Sequence, residues 1–355
     1  MQIKDNDKIV GEITAGGKLE WDRKPGMMIL SITPNFDLFF SGSPPLQINV
    51  EPGFEYRINI ITQGFPPKGI FSLKSSKRYG EKETRIAYKK PLLPTKDVSF
   101  ENIQEIPDFK AIPRKDDVAV LIGIENYQNI TKSDFSKGDS GIIKDYLKAL
   151  GFQDRNIDLL TDEKATFSSI TKSLEAWLPN RVKKNSMVFI YYSGHGSPDP
   201  VSGDAYIAPY DVDLNYLTLT GYPLKRLYSK LEKLNVNEVI VVLDSCFSGA
   251  GGRSVLAKGA RPLVVMMETE IIPQNMAILS ATQGSQISTS SPEKGHGIFT
   301  YYFLKAIKDG KKTLAEIYEY IKPLVEDEAK MLNVQQSPSI NPSINTLAGR
   351  FYLRN

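Results

Sequence analysis

A doubly wound, mostly parallel α/β sheet flanked by helices, preceded by a small all-β domain, is the fold class this sequence predicts. Three observations carry it. From Asp117 onward, continuous apolar runs alternate with stretches of helical spacing, the grammar of a parallel sheet covered on both faces. Before that point, short runs rich in β-branched and aromatic residues are separated by turn chemistry instead. Proline is concentrated there too: eleven of the 22 prolines lie in residues 1–116, which disfavours helices in that part.

The β-rich part is predicted to span residues 1–95 as a sandwich-like domain. Its candidate strands are IVGEITA, MMILSIT, FDLFF, LQINV, YRINIIT and IFSLK. Tyr56, Ile58 and Ile60 alternate onto one face. Pro34-Asn35, Ser43-Pro44-Pro45, Pro52-Gly53 and Pro66-Pro67 supply the turns. Residues 96–116 read as a linker, and 117–355 as the second domain. A length of 355 residues agrees with two domains at about 100–200 residues each.

In the second domain VAVLIGI (118–124) is the first buried strand, followed by a helix through Ile142, Ile143, Tyr146, Leu147 and Leu150 that stops at Gly151. NIDLL (156–160) is the next strand, and Ile170, Leu174, Trp177 and Leu178 mark the next helix. SMVFIYY (186–192) is a third strand, Tyr222–Leu234 a helix, NEVIVVLD (237–244) a fourth strand and MAILSA (276–281) a fifth. A helix from Ile298 to Lys308 and a longer one from Leu314, carrying Pro323, lead to a closing strand GRFYL.

Composition removes several function classes. One cysteine excludes an intramolecular disulfide and every multi-thiolate metal site. Two histidines, 101 positions apart, leave no helical zinc pair, so no metal is expected. No apolar run reaches the roughly 18 residues of a membrane span. The opening MQIKDNDK shows no signal peptide, which tilts the setting towards the cytoplasm, as does a free thiol. The net charge of +3 falls entirely in residues 1–116, densest at Lys74, Lys77, Arg78, Lys82, Arg85, Lys89 and Lys90. Glu81 and Glu83 interrupt that run, so it reads as the solvated face of strands and not as a nucleic-acid patch.

In open α/β sheets chemistry gathers at the carboxyl ends of the strands. Ser193-Gly194-His195-Gly196 ends the third strand, and Asp244-Ser245-Cys246-Phe247-Ser248-Gly249 ends the fourth. The single cysteine and one histidine therefore close strands expected to be neighbours, each beside glycines that let a substrate backbone approach. A thiolate nucleophile with an imidazole to move its proton is the chemistry of acyl transfer. His296, in HGIFT at the start of a helix, reads as structural.

At these residues the chain resembles the caspase-like cysteine peptidases, in the metacaspase and bacterial caspase-homologue branch. The 51-residue gap from His195 to Cys246 is close to the about 50 of caspases. VAVLIGIENY, DAYIAPYD (204–211) and HGIFTYYFL (296–304) extend the likeness from about Asp117 to the end. The β domain lies outside it.

The resemblance implies a Cys246–His195 dyad, an oxyanion hole from the backbone N–H groups of Gly196 and Cys246, and peptide or protein substrates. It also implies a pocket for arginine or lysine built from Asp244, Ser193 and Asp139, a carboxylate pair suited to a guanidinium. Asp139 could instead cap its helix. No cofactor is required. Calcium, needed by many metacaspases, has candidate ligands in Asp199, Asp204, Asp211 and Asp213, which follow the histidine and lack EF-hand spacing. Self-cleavage at Arg253, Lys258 or Arg261 would match a basic preference. The alternative is a silent caspase-fold scaffold whose β domain binds a partner or an anionic surface.

Overall fold

The computed structural model describes residues 102–199, 201–247, 272–283, 286, 288–332, 334–347 and 349–354, with the backbone of six strands between Gln2 and Arg78. The chain divides into two compact units, Met1–Val98 and Ser99–Asn355.

The first unit holds β1 (Gln2–Asp5), β2 (Lys8–Glu12), β3 (Gly26–Thr33), β4 (Leu46–Val50), β5 (Phe54–Gln63) and β6 (Lys68–Arg78). β1 to β4 form one antiparallel sheet in the order β2-β1-β3-β4, and β5 and β6 pair antiparallel as a second. Five of the six expected runs overlap these strands, β1 was not anticipated, and FDLFF (36–40) lies outside the described residues.

The second unit is built on a six-stranded sheet. In chain order it runs β7 (Val118–Gly123), α1 (Ser136–Ala149), β8 (Ile157–Thr161), α2 (Phe167–Lys172), α3 (Leu178–Arg181) and β9 (Met187–Ser193). A single π turn, Ser173–Trp177, joins α2 to α3. Next come β10 (Gly196–Pro198), β11 (Ala205–Ile207), α4 (Leu217–Thr220), β12 (Tyr222–Pro223), α5 (Leu224–Glu232), β13 (Glu238–Asp244) and β14 (Met276–Ser280). The chain ends through β15 (Ser290–Ser291), β16 (His296–Gly297), α6 (Ile298–Lys308), α7 (Leu314–Met331), β17 (Ser339–Asn341) and α8 (Ile344–Leu347).

The sheet order is β17-β14-β13-β9-β7-β8; every pairing is parallel except that of the edge strand β17 with β14. Strand side chains alternate between two faces, and both are covered, which is why these runs read as unbroken apolar stretches. Ala119, Leu121, Phe189, Tyr191, Ile240 and Val242 pack under α1, α6 and α7. Val118, Val120, Val188, Ile190, Val239 and Val241 pack under the α2–α3 segment and α5. Each such fully buried aliphatic side chain contributes about 1.5–3 kcal/mol. Gly151 stops α1 in the left-handed region at φ 97°, where a side chain would be strained.

Three expectations change. Residues 96–116 were read as a linker, yet the described part, 102–116, packs into the second unit. Ile103 and Phe109 join its core and Arg114 pairs with Asp117 at 2.5 Å. Apolar residues spaced too widely for a helix or strand still bury where a surface groove accepts them. GRFYL makes one isolated bridge, Tyr352 to Thr313, and the edge strand comes earlier at Ser339–Asn341. Pro338 and Pro342 flank that strand, and a sheet edge is where proline is tolerated. Tyr222 and Pro223 pair with β11 before α5 begins, because the residue before a proline is held out of the helical region and Pro223 is itself extended.

Candidate active site

Ser193 and Asp244, the last residues of β9 and β13, are register partners across the parallel pair. Parallel pairing therefore brings the two glycine-rich strand ends together. Gly196 lies directly against the next residues of the other strand end. A Cβ on it would stand 2.3 Å from the Cys246 carbonyl oxygen and 2.4 Å from the Phe247 ring, so only glycine fits.

His195 is buried and held from several sides. Its backbone N–H donates to the Tyr127 hydroxyl at 2.7 Å, and the Tyr127 ring lies 5.1 Å from the imidazole, centroid to centroid. Its carbonyl accepts from the Tyr192 hydroxyl at 2.5 Å and from the Ala208 N–H at 3.0 Å. Nε2 lies 2.9 Å from the Thr131 carbonyl and 3.2 Å from that of Lys132. Carbonyls only accept, so Nε2 carries the hydrogen, and Nδ1 is the basic nitrogen of the neutral ring.

The loop that supplies Tyr127, Thr131 and Lys132 is anchored by Asp162, just past β8. Its Oδ1 accepts the N–H groups of Glu125 (2.9 Å) and Asn126 (3.0 Å), and Oδ2 accepts from the Asn126 amide and Lys137. Burial alone would raise this carboxyl, but those donors outweigh it and hold its pKa below the ordinary aspartate value.

Cys246 has no exposed surface, and the Ser288 N–H donates to its Sγ. The same Ser288 donates its hydroxyl to Asp244 Oδ1 at 2.7 Å. Asp244 Oδ2 accepts from Thr300 Oγ1 at 2.6 Å, and that hydroxyl is also 2.6 Å from Tyr191 Oη. Asp139, in the first turn of α1, does not cap its helix. Its Oδ1 accepts from His296 Nδ1 at 2.6 Å and its Oδ2 from the Gly297 N–H at 3.0 Å.

The aspartates considered for calcium are each engaged within the protein, with Asp199 and Asp204 side by side where the Asp199 N–H donates to the Asp204 carbonyl. Asp199 accepts from Val201 N–H and Ser202 Oγ, Asp204 pairs with Lys225, Asp211 accepts the Phe167 N–H, and Asp213 caps the turn at Asn215. Among the described residues no three His, Cys, Asp or Glu side chains stand where they could hold a metal ion. Among the described residues, too, no helix is long and apolar enough to cross a membrane.

The caspase-domain model of the C14 peptidases matches residues 116–351, the stretch that builds this sheet and both strand ends. The chain belongs to the caspase-domain peptidase family. Protein GSU0716 from Geobacter sulfurreducens is similar in structure at 17% identity and a TM-score of 0.50, covering 67% of this chain and 98% of that one. Caspase-1 from Spodoptera frugiperda aligns at 13% identity with a TM-score of 0.43, over 67% of this chain and 90% of that one. At such identity the first shows the fold alone. No curated protein matches the chain.

Within this caspase domain, sequence reasoning placed His195, Cys246, Ser193 and Asp244 at the strand ends where they stand. It missed Ser288, Thr300, Tyr127 and the Thr131 carbonyl. Ser288 lies in a polar loop with no periodic signal, Thr300 is one hydroxyl in a helix read by its apolar face, and a backbone carbonyl carries no residue signal at all. His296 and Asp139 were each singled out, but not that they pair across 157 residues.

Proposed function

We propose that this caspase domain is a cysteine endopeptidase that cleaves after arginine or lysine, with Cys246 as nucleophile and His195 as proton carrier. The observation that carries it is the register pairing of Ser193 with Asp244, which sets Gly196 against Cys246. A peptide reaches Sγ once Ser288 has swung off it. The thiol proton then passes to His195 Nδ1, and the thiolate attacks the scissile carbonyl carbon. The N–H groups of Gly196 and Cys246 hold the resulting oxyanion. As the C–N bond breaks, its electron pair leaves with the amine, which takes the proton from His195. Water, giving a proton to His195, then attacks the thioester; the acid departs and the thiol is restored.

Specificity rests on Asp244, Ser193 and Asp139. A P1 guanidinium or ammonium between ionised carboxylates is favoured in a buried site, where charge-assisted hydrogen bonds are strong. An aspartate side chain there would be repelled.

A panel of fluorogenic peptides differing only at P1 tests this, with Cys246→Ala as the control. Turnover of the Arg and Lys members, absent in Cys246→Ala, is expected. Turnover of the Asp member without the basic ones overturns the specificity, and activity surviving in Cys246→Ala overturns the nucleophile.

A further inference from the structure

His296 has a role that its place in a buried turn does not require. It sits on β16 with only 5% of its surface exposed, between Asp139 and the exposed side chain of Gln104. Nδ1 is 2.6 Å from Asp139 Oδ1, and Nε2 is 3.1 Å from the Gln104 amide nitrogen. A carboxylate accepts and an amide nitrogen donates, so Nδ1 bears the hydrogen and Nε2 receives one. Only the neutral imidazole satisfies both contacts.

The same short segment reaches the second acid. Gly297 donates its N–H to Asp139, and Thr300, in the first turn of α6, donates to Asp244. The stretch 296–300 thus orients both carboxylates with uncharged donors. A carboxylate has about four acceptor sites, so two such donors fix its direction without exhausting it. An imidazolium in the same place would cancel the Asp139 charge and compete with an incoming cation.

We propose that His296 is a positioning residue for cation recognition: as a neutral donor relayed from Gln104, it aligns Asp139 and leaves its negative charge for the P1 side chain. This rests on the basic-residue peptidase reading above. Asp139 is the group that meets substrate; His296 acts through it.

The experiment compares two matched peptides, with arginine or with uncharged norleucine at P1, on the full chain. His296→Ala is expected to raise KM for the arginine peptide about tenfold or more while kcat and Cys246 alkylation by iodoacetamide hold within about threefold. His296→Asn, which keeps an uncharged N–H donor at the δ position, is expected to restore most of the preference. Gln104→Glu offers Nε2 an acceptor in place of a donor and so favours the imidazolium. It is expected to lower the arginine-over-norleucine ratio about tenfold, an effect lost in the His296→Asn background.

If wild type prefers arginine and these variants keep its ratio, or lose activity on both peptides equally, the inference falls and the peptidase reading stands. If wild type shows no preference for arginine, the specificity reading falls and takes the inference with it. Gln104 is exposed, so Gln104→Glu still decides the matter should His296→Ala not fold.

Discussion

His195 donates its Nε2–H to the Thr131 carbonyl across 2.9 Å, so a backbone carbonyl sets the tautomer of the candidate base. The contact is only as firm as the loop that presents Thr131.

Tyr127→Phe removes the acceptor of the His195 backbone N–H. A buried donor left unsatisfied costs about 1–3 kcal/mol. The expected result is a lower unfolding midpoint together with a roughly tenfold fall in kcat, because the imidazole loses its fixed orientation. Denaturant titration and initial-rate kinetics on one preparation would show whether the two effects travel together.

Asp162 couples this loop to pH. Its pKa is depressed in the folded protein, so the stabilisation it brings is present above the unfolded aspartate value of about 3.9 and is lost as pH falls through the folded value. Asp162→Asn is expected to destabilise the protein at pH 7 and to narrow the gap to wild type on titration towards pH 3. A gap that stayed constant with pH would show that the charge is not what matters.

Gly196→Ala puts a methyl group where backbone already stands. The nearest atom, Cys246 O at 2.3 Å, cannot rotate away as a side-chain tip could. The expected cost is about 1–3 kcal/mol of stability. A loss of about a hundredfold in kcat is also expected, since the two N–H groups of the proposed oxyanion site would move apart. Retention of full activity would remove Gly196 from that site.

Asp244→Asn keeps the shape of the side chain, and the Ser288 and Thr300 hydroxyls can turn to meet an amide. Only charge is lost. Cleavage after arginine should weaken by about 2 kcal/mol or more, roughly thirtyfold in kcat/KM. Iodoacetamide labelling of Cys246 should change little, which would separate loss of recognition from loss of the nucleophile.

Much of this was legible in the sequence because the signals are local. A strand buried on both faces must be apolar along its buried length, and VAVLIGI, MVFIYY and VIVVL are. Helices α1 and α6 appeared as repeats on one face, and Gly151 as a stop. The strand-end rule then placed His195 and Cys246 without geometry. The closing GRFYL misled because its alternation suits a strand, whereas Phe351 takes a left-handed backbone at φ 57° that leaves one bridge, and Phe351 and Leu353 are buried there all the same. Residues 102–116 misled in the opposite sense: their apolar positions follow no period, so nothing announced that Ile103 would enter the core.

The sequence by itself determined the alternating α/β order, the buried strands and the two glycine-flanked strand ends, since each depends on residues within a few positions of one another. Only the tertiary structure decided the partners. Asp139 meets His296 across 157 residues, His195 meets Thr131 across 64, and Asp244 meets Ser288 across 44. Such pairs depend on the order in which strands enter the sheet and on the α1 and α6 turns arriving beside each other. Hydrogen-bond partners are chosen by proximity in space, and periodicity along the chain carries no record of it.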